Sequence, residues 1–123
     1  MVCMSRLRIA AWAVALATTA AVTVGLLHGS APHALVLCHL VGHTEIEGYP
    51  GQPIPPLPEL VELHERLSLP ARRAHVAAIA LNTSELDDEA ARAAVVSAER
   101  ETGLPADDPV RFGAAKLVDA VLR

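Results

Sequence analysis

The chain has 123 residues, enough for one domain with a modest hydrophobic core. Hydrophobic residues make up 52% of the sequence, which argues against a disordered protein, while aromatic residues make up only 2%. The net charge of −4, with no basic cluster beyond Arg72–Arg73, argues against nucleic-acid binding. Cys3 and Cys38 form no C-x-x-C pair, so neither a disulfide framework nor a zinc knuckle is expected.

An apolar segment dominates the N-terminus. Ile9–Leu27 is a run of 19 residues without a charge, preceded by Arg6 and Arg8. This pattern is typical of a secretory signal and reaches the length of a membrane span, so export or anchoring through residues 1–27 is one interpretation. A buried helix is a second, because a segment rich in Ala and Thr has a weak drive to enter a bilayer. A third is that residues 1–21 are not native to the fold.

The next part of the chain is predicted to form a helix, a strand and a second helix. Glycine, serine and proline within 29–32 indicate where the first helix ends. Ala34–Cys38 is a short apolar run, typical of a strand buried on both faces, in which Cys38 is a small buried hydrophobe. The proline-rich stretch Gly51–Pro58 predicts an extended loop. Apolar residues at helical spacing over Leu57–Leu67 then predict an amphipathic helix.

A second strand and a third helix follow. Val76–Leu81 is another apolar run and is predicted to be a buried strand. Thr83 or Ser84 is expected to cap the next helix, whose acidic first turn complements the helix dipole. This helix is predicted to continue over Ala90–Arg100 and to end at Gly103.

The last part of the chain completes an alternating pattern. Leu104–Arg111 predicts a connector with a brief extended stretch, and the apolar spacing over Phe112–Leu122 predicts a last helix. Alternating strands and helices imply an α/β fold with right-handed crossovers and a parallel sheet flanked by helices. The sequence predicts only two strands clearly, whereas a typical sheet has about five strands. The pattern therefore predicts part of a fold.

The sequence lacks a phosphate-binding loop. Such a loop needs glycines that approach the phosphates and a lysine that reaches them. The only lysine is Lys116, within the predicted last helix, and Gly25 and Gly29 have no lysine after them. A self-contained P-loop NTPase is therefore excluded.

Polar residues follow both predicted strands, at the edge where open α/β sheets bind ligands. Four follow the first strand: His39, His43, Glu45 and Glu47. They are residue types that bind zinc, but they lie in a loop, where solvated and hydrogen-bonded side chains are the simpler interpretation, and no metal ligand is assigned. Asn82 and Thr83 follow the second strand and can contact a substrate, although helix capping is the favoured interpretation.

A third polar group precedes the last helix. Arg111 can bind a carboxylate or phosphate through two hydrogen bonds, and Asp108 can hold the start of that helix. The alternative is that the two residues pair with each other at the surface, where an ion pair contributes little stability.

Several segments resemble a known family. They include HTEIEGYPGQPIPPLPELVELHE, IALNTSELDDEAARAAV, ETGLPADDPVRFGAAKLVDAVL and VTVGLLHGSAPHALVLCH. Together they resemble the C-terminal P-loop domain of the D-glutamate N-acetyltransferase-like family, long catalogued as a domain of unknown function. The resemblance covers residues 22–123 and implies that they form the C-terminal part of a Rossmann-like, P-loop-type α/β domain that lacks the phosphate-loop half.

The resemblance also implies an activity and a donor. In such proteins a Rossmann-like domain precedes the P-loop domain, and some members transfer acetyl from acetyl-CoA to the amine of D-glutamate. This sequence departs from the pattern because it has no N-terminal domain, no phosphate loop and no acidic strand end for magnesium, and His43 stands where an arginine is expected. The resemblance therefore implies a truncated, cytoplasmic acetyltransferase-family chain that is inactive alone and binds no cofactor by itself.

The resemblance suggests which residues line a site in an intact relative. His43 or Glu45 is the candidate base that deprotonates the amine, and Arg111 is the candidate partner of a substrate carboxylate. The other candidate substrate-binding residues are Glu47, Tyr49, Asn82, Thr83 and Asp108.

Partners and alternative functions complete these expectations. The expected partner is the missing N-terminal half or a second copy, with neither nucleic acid nor membrane as a partner. One alternative function is a non-enzymatic subunit whose exposed sheet edge binds a chain that carries the phosphate loop. The other is a small protein exported or anchored through residues 1–27.

Overall fold

A three-stranded parallel sheet flanked by helices forms the part of the chain that the computed structural model describes, residues 22–123. The elements in chain order are α1 (described over residues 22–30), β1 (Ala34–Leu40), α2 (Leu57–Leu67), β2 (His75–Asn82), α3 (Asp88–Thr102), β3 (Ala106–Asp107) and α4 (Ala115–Val121). The strands follow the order β1-β2-β3, so α2 and α3 are crossover connections on one face of the sheet. The predicted α/β fold with a parallel sheet is confirmed.

The strand β2 lies at the centre of the sheet and of the core. It pairs with β1 on one side and with β3 on the other, with an irregularity in register at Leu35/Val36 of β1. The side chains of Val76 and Ile79 are almost fully buried. Burying a side chain of this size contributes about 1.5–3 kcal/mol relative to leaving it exposed. The predicted strand buried on both faces is confirmed here.

The strand β1 differs from its prediction. Only Leu37 is buried, while Val36 and Cys38 are exposed. The expectation that Cys38 is a buried hydrophobe is therefore wrong. The physical reason is that β1 is an edge strand of the described sheet, so its apolar run is covered only where α2 and the core pack against it.

The main core lies between the sheet and the two crossover helices. The cluster joins buried residues from five elements, β1, α2, β2, α3 and β3, namely Leu37, Leu57, Val76, Ile79, Leu81, Val95, Ala98 and Ala106. On α2, Leu57 belongs to the core and Leu60 and Val61 pack against it, while Leu63 and Leu67 are 47% and 42% exposed. The helix α4 packs against β2. Its residue Leu117 is buried but does not belong to the main core cluster.

The ends of α3 follow from local hydrogen bonds. Asp87 caps the helix, since its carboxylate accepts from the N–H of Ala90 at 2.8 Å. The expected caps, Thr83 and Ser84, precede this position, so that expectation is wrong. Gly103 ends the helix at φ 69°, and its N–H donates to the carbonyl of Glu99 at 2.8 Å, as predicted for a left-handed terminus.

The last helix is shorter than predicted. It covers Ala115–Val121 rather than Phe112–Leu122. Phe112 lies in a turn, where its N–H donates to the carbonyl of Asp108 at 2.9 Å and its ring stacks on Arg92 at 4.5 Å. The apolar spacing was therefore helical only from residue 115 onward.

The interpretations of the N-terminal apolar segment fall mainly on residues 1–21, which lie outside the described residues, while residues 22–27 of that segment belong to α1. Within residues 22–123, no helix has the length and apolar character to cross a membrane.

Candidate functional site

A groove of about 700 Å³ lies at the carboxyl ends of β1 and β2. Open α/β sheets bind ligands at this edge, because the strand ends and the loops that follow them converge there. The groove is lined by Cys38, His39, Leu40, Ala80, Leu81, Asn82, Ser84, Asp108, Pro109, Val110 and Arg111. Three of the predicted substrate-binding residues, Asn82, Asp108 and Arg111, therefore lie together.

A buried carboxylate joins the two sides of this groove. One oxygen of Asp108 accepts from the N–H and the hydroxyl of Thr83, at 3.0 and 2.5 Å. The other oxygen accepts from the N–H groups of Val110 and Arg111, both at 3.0 Å. Asp108 is 3% exposed and Thr83 has no exposed surface. The observed contacts of both residues thus fix the end of β2 to the loop before α4.

These hydrogen bonds also set the charge of the junction. Burial raises the pKa of Asp108, but the donors from Thr83, Arg111 and Val110 together hold that pKa below its ordinary value of 3.8. The carboxylate is therefore ionised at neutral pH, and it stabilises the fold at pH values above 3.8. That contribution is lost when the pH falls through the lowered pKa.

Arg111 is already held by protein groups. Its Nη2 donates to the carbonyls of Thr83 at 3.0 Å and Leu86 at 2.8 Å, and its Nη1 pairs with Asp88 at 2.5 Å. The Asp88 side chain is 80% exposed, whereas that of Arg111 is 24% exposed. A ligand carboxylate can replace Asp88 without disturbing the two backbone contacts. The guanidinium of Arg111 thus pairs with Asp88 and not with Asp108, which was the alternative considered above.

Asn82 presents an amide at the mouth of the groove. Its Oδ1 accepts from the N–H of Ser84 at 3.1 Å, which fixes the side chain in a local turn. Because the oxygen is used in this way, the amide nitrogen is the group of Asn82 that can donate a hydrogen bond to a ligand. Asn82 is exposed, as a residue that contacts a ligand must be.

His39 lies between this groove and a second cavity of about 440 Å³. The second cavity is bounded by the loop after β1 and by α3, and His43, Ser97 and Glu101 line it. Burial lowers the pKa of His39 below its ordinary value of 6.5, although the nearby Glu101 carboxylate opposes the shift. His39 is therefore neutral at pH 7 and able to accept a proton.

The remaining predicted residues lie in a small hairpin between β1 and α2. Glu45 bridges to Pro53 across the hairpin, and its carboxylate accepts from the N–H of Gly51 at 3.2 Å. Glu47 and Tyr49 lie near the exposed tip. None of these residues lines the groove, and His43 lies in the second cavity with its Nε2 3.9 Å from the Glu85 carboxylate. The structure thus divides the predicted site residues among three places.

Two features of the site were missed by reasoning from sequence. The position of His39 at the end of an apolar strand was a signal, but it was read only as part of a metal group. Among residues 22–123, no three His, Cys, Asp or Glu side chains converge as metal ligands. The Thr83–Asp108 link joins residues 25 apart, and no local pattern indicates such a pair.

A comparison of the sequence with models of known protein families shows which family the chain belongs to. Residues 13–118 match the family described as a domain of unknown function, the DUF1611_C P-loop domain. The chain belongs to this family. The resemblance to its C-terminal P-loop domain is therefore confirmed, and so is the fold class.

Two curated relatives and a solved structure resemble the chain over most of its length. It is 41% identical over 105 residues to a protein named D-glutamate N-acetyltransferase from Tritonibacter scottomollicae, and 33% identical over 100 residues to one of the same name from a Pseudoalteromonas species. A crystal structure of a DUF1611 family protein from Anabaena variabilis matches with a TM-score of 0.78 and 47% identity. The matches cover 80–81% of this chain but 30% of each of the three relatives.

Proposed function

We propose that this chain supplies the C-terminal P-loop-family domain of an enzyme that transfers acetyl to the amine of D-glutamate. The observation that carries the proposal is the 41% identity with a relative of that name, over 81% of this chain. The groove at the carboxyl edge of the sheet supports it, since it collects an arginine, an amide and a neutral histidine.

The chain spans about a third of the length of the curated relatives, 30% in both cases. We propose that the activity also needs the segments of the relatives that lie outside this match, which provide the phosphate loop and the Rossmann-like domain. We propose that this chain alone does not transfer acetyl groups.

The groove residues divide the recognition of an amino acid between them. Arg111 is proposed to release Asp88 and bind a substrate carboxylate through its Nη1. The amide nitrogen of Asn82 donates to the same ligand. Asp108 and Thr83 are proposed to position this arginine and the end of β2 rather than to contact the substrate, because both are buried and bonded to each other.

His39 is the proposed base. Acetyl transfer requires the neutral amine, whose nitrogen attacks the thioester carbonyl while the thiolate leaves, and the proton of the amine must pass to the protein. His39 lines the groove with Asn82 and Arg111, whereas His43 opens into the second cavity and Glu45 is bonded within the hairpin. The earlier assignment of His43 or Glu45 remains the competing prediction.

The groove does not fit the phosphates of acetyl-CoA. Its one cation among the described lining residues is Arg111, which already contacts two carbonyls and a carboxylate. Anionic phosphates need several donors or a helix N-terminus. We therefore assign the amino-acid end of the reaction to this chain and the donor to the rest of the assembly.

A chimera tests the activity. The matched segment of the Tritonibacter scottomollicae enzyme is replaced by this chain, and N-acetylated product is measured by mass spectrometry with D-glutamate and L-glutamate. We expect acetylation of D-glutamate in the chimera and none by this chain alone. A folded chimera without product would refute the proposed function.

The base assignment is tested in the same chimera. We expect His39→Gln to lower kcat by about 100-fold and to remove the acidic limb of the pH profile. The matched control is His75→Gln, an exposed histidine at the opposite end of β2, for which kcat should not change. A loss with His43→Gln instead of His39→Gln would restore the earlier assignment.

The second candidate function is a non-enzymatic subunit that binds a partner. The open edge of β1, with Val36 and Cys38 exposed, is the observation that favours it. Complex formation without acetyl transfer in any combination with family chains would favour this function over the first.

A further inference from the structure

The outer edge of β1 is open in the described part of the chain. The sheet order is β1-β2-β3, so no described strand pairs with that edge. The N–H of Val41 donates to the carbonyl of Asn82, and the N–H of His75 donates to the carbonyl of His33. The backbone N–H and C=O groups of the odd-numbered residues of β1 therefore point toward β2. Because successive residues of a strand alternate, the N–H groups of Val36 and Cys38 face the open edge.

An apolar groove follows this edge. It has a volume of about 580 Å³, and its lining includes Leu26 and Leu27 of α1 and Leu35, Val36 and Cys38 of β1. Val36 is 39% exposed and Leu26 is 68% exposed. Unpaired backbone groups beside apolar side chains suit a β-strand, which satisfies the former and buries the latter.

The position of α1 indicates the direction of that strand. The helix lies beside α2, since the His28 ring nitrogen Nε2 is 2.8 Å from the carbonyl of Leu67 and His64 lines the same groove. The crossover helices α2 and α3 connect parallel strands in the order β1-β2-β3. A further parallel strand on the open edge, followed by α1, continues the same right-handed series.

The length of the relatives indicates what the occupant is. This chain corresponds to 30% of each curated relative, and the matching family is the C-terminal P-loop domain. We propose that the open edge of β1 and its apolar groove bind, in parallel, a β-strand from the N-terminal portion of a DUF1611 family chain. This inference rests on the proposed function for its choice of partner, and it predicts binding in trans.

The labelling rate of the Cys38 thiol measures whether this surface is covered. It is exposed at the open edge, and Cys3→Ser leaves it as the only thiol of the chain. The Cys3→Ser chain is mixed with the portion of the Tritonibacter scottomollicae enzyme that lies N-terminal to the matched segment. We expect a one-to-one complex by light scattering and a rate of Cys38 labelling by a thiol reagent at least about 10-fold lower, because pairing buries the residue.

A proline variant tests the backbone contact. Val36→Pro removes an N–H that faces the open edge, where proline is tolerated in a strand, while Val36→Thr keeps the N–H and the β-branch. We expect Val36→Pro to weaken binding about 10-fold and Val36→Thr to change it less than about 3-fold. If circular dichroism shows that Val36→Pro is unfolded, the labelling of Cys38 in the Cys3→Ser chain alone tests the inference.

Three results would overturn the inference. They are the absence of a complex, a complex in which Cys38 labels at its original rate, and a homodimer of this chain that itself protects Cys38. Acetylation of D-glutamate is measured on the same mixture, so the two proposals fail separately. Protection of Cys38 without product removes the proposed function alone, and product without protection removes the edge inference alone.

Discussion

The strands β1 and β2 have similar sequences but different surroundings. Both are short apolar runs, yet four consecutive residues of β2, Val76–Ile79, are buried whereas only Leu37 of β1 is. The difference is that β2 has a paired strand on each side and helices against it, while β1 ends the described sheet. Apolar sequence therefore sets which segments form strands, and neighbours set which of them are rigid core and which are binding surface.

The same contrast separates the two halves of the polar edge. On the side of β2 and β3, the Thr83–Asp108 junction is buried and each carboxylate oxygen accepts two donors. On the side of β1, Glu45 accepts a single hydrogen bond, from Gly51, in an exposed hairpin. Loss of a polar group should therefore cost far more stability at the first place than at the second.

The largest expected effect is that of Asp108→Ala. It leaves the Thr83 hydroxyl and N–H without their acceptor in a buried site, so we expect the free energy of unfolding to fall by about 3–5 kcal/mol. Urea denaturation followed by circular dichroism measures it. Asp119→Ala, at an exposed position on α4, is the matched control and should change stability by less than about 0.5 kcal/mol. Equal losses for the two variants would contradict the proposed role of the junction.

A second pair of variants compares the strands directly. Ile79→Ala removes a fully buried side chain at the centre of β2, and we expect a loss of about 2–4 kcal/mol from transfer and cavity terms. Val36→Ala removes a side chain that is 39% exposed on β1, and we expect a loss below about 1 kcal/mol. The urea midpoints of both variants provide the measurement. A loss at Val36 as large as that at Ile79 would mean that the edge of β1 is covered in solution.

Much of the fold followed from local patterns. Both long strands, the amphipathic α2 and the glycine at the end of α3 were predictable, because apolar runs, helical spacing and a left-handed terminus depend on nearby residues. Thr83 and Ser84 were wrongly expected to cap α3, because Asp87, four residues after Thr83, provides the side-chain acceptor at the helix start.

The site was predictable only in part, for a physical reason. Asn82, Asp108 and Arg111 were found because they follow strands or precede a helix, and the parallel sheet brings such ends together. The exposure of Cys38 was not predictable, since it depends on which strand ends the sheet. The placement of His39 beside Glu101 depends on how α3 packs, which the sequence spacing does not specify.

The smallest expected effect concerns pH and His39. Because burial lowers its pKa below 6.5 in the folded chain, the unfolded chain binds the proton first as the pH falls. Stability therefore decreases as the pH falls through 6.5 and recovers as it rises above that value. We expect His39→Asn to flatten this part of the pH dependence, measured as urea midpoints between about pH 7.5 and 5.5. His75→Asn, at an exposed position, is the control, and the pH dependence of its urea midpoint should match that of the unchanged chain.

Glu101→Gln sharpens the same test because it acts in the opposite direction. The Glu101 carboxylate raises the pKa of His39 and so limits the shift caused by burial. Without that charge the folded-state pKa falls further, and the loss of stability on acidification should become steeper than in the unchanged chain. The steepening must vanish when Glu101→Gln is combined with His39→Asn, since it acts through the imidazole. A steepening that persists in the double variant would show that Glu101 acts through another group, and His39 would then lose its place as the titrating residue of this edge.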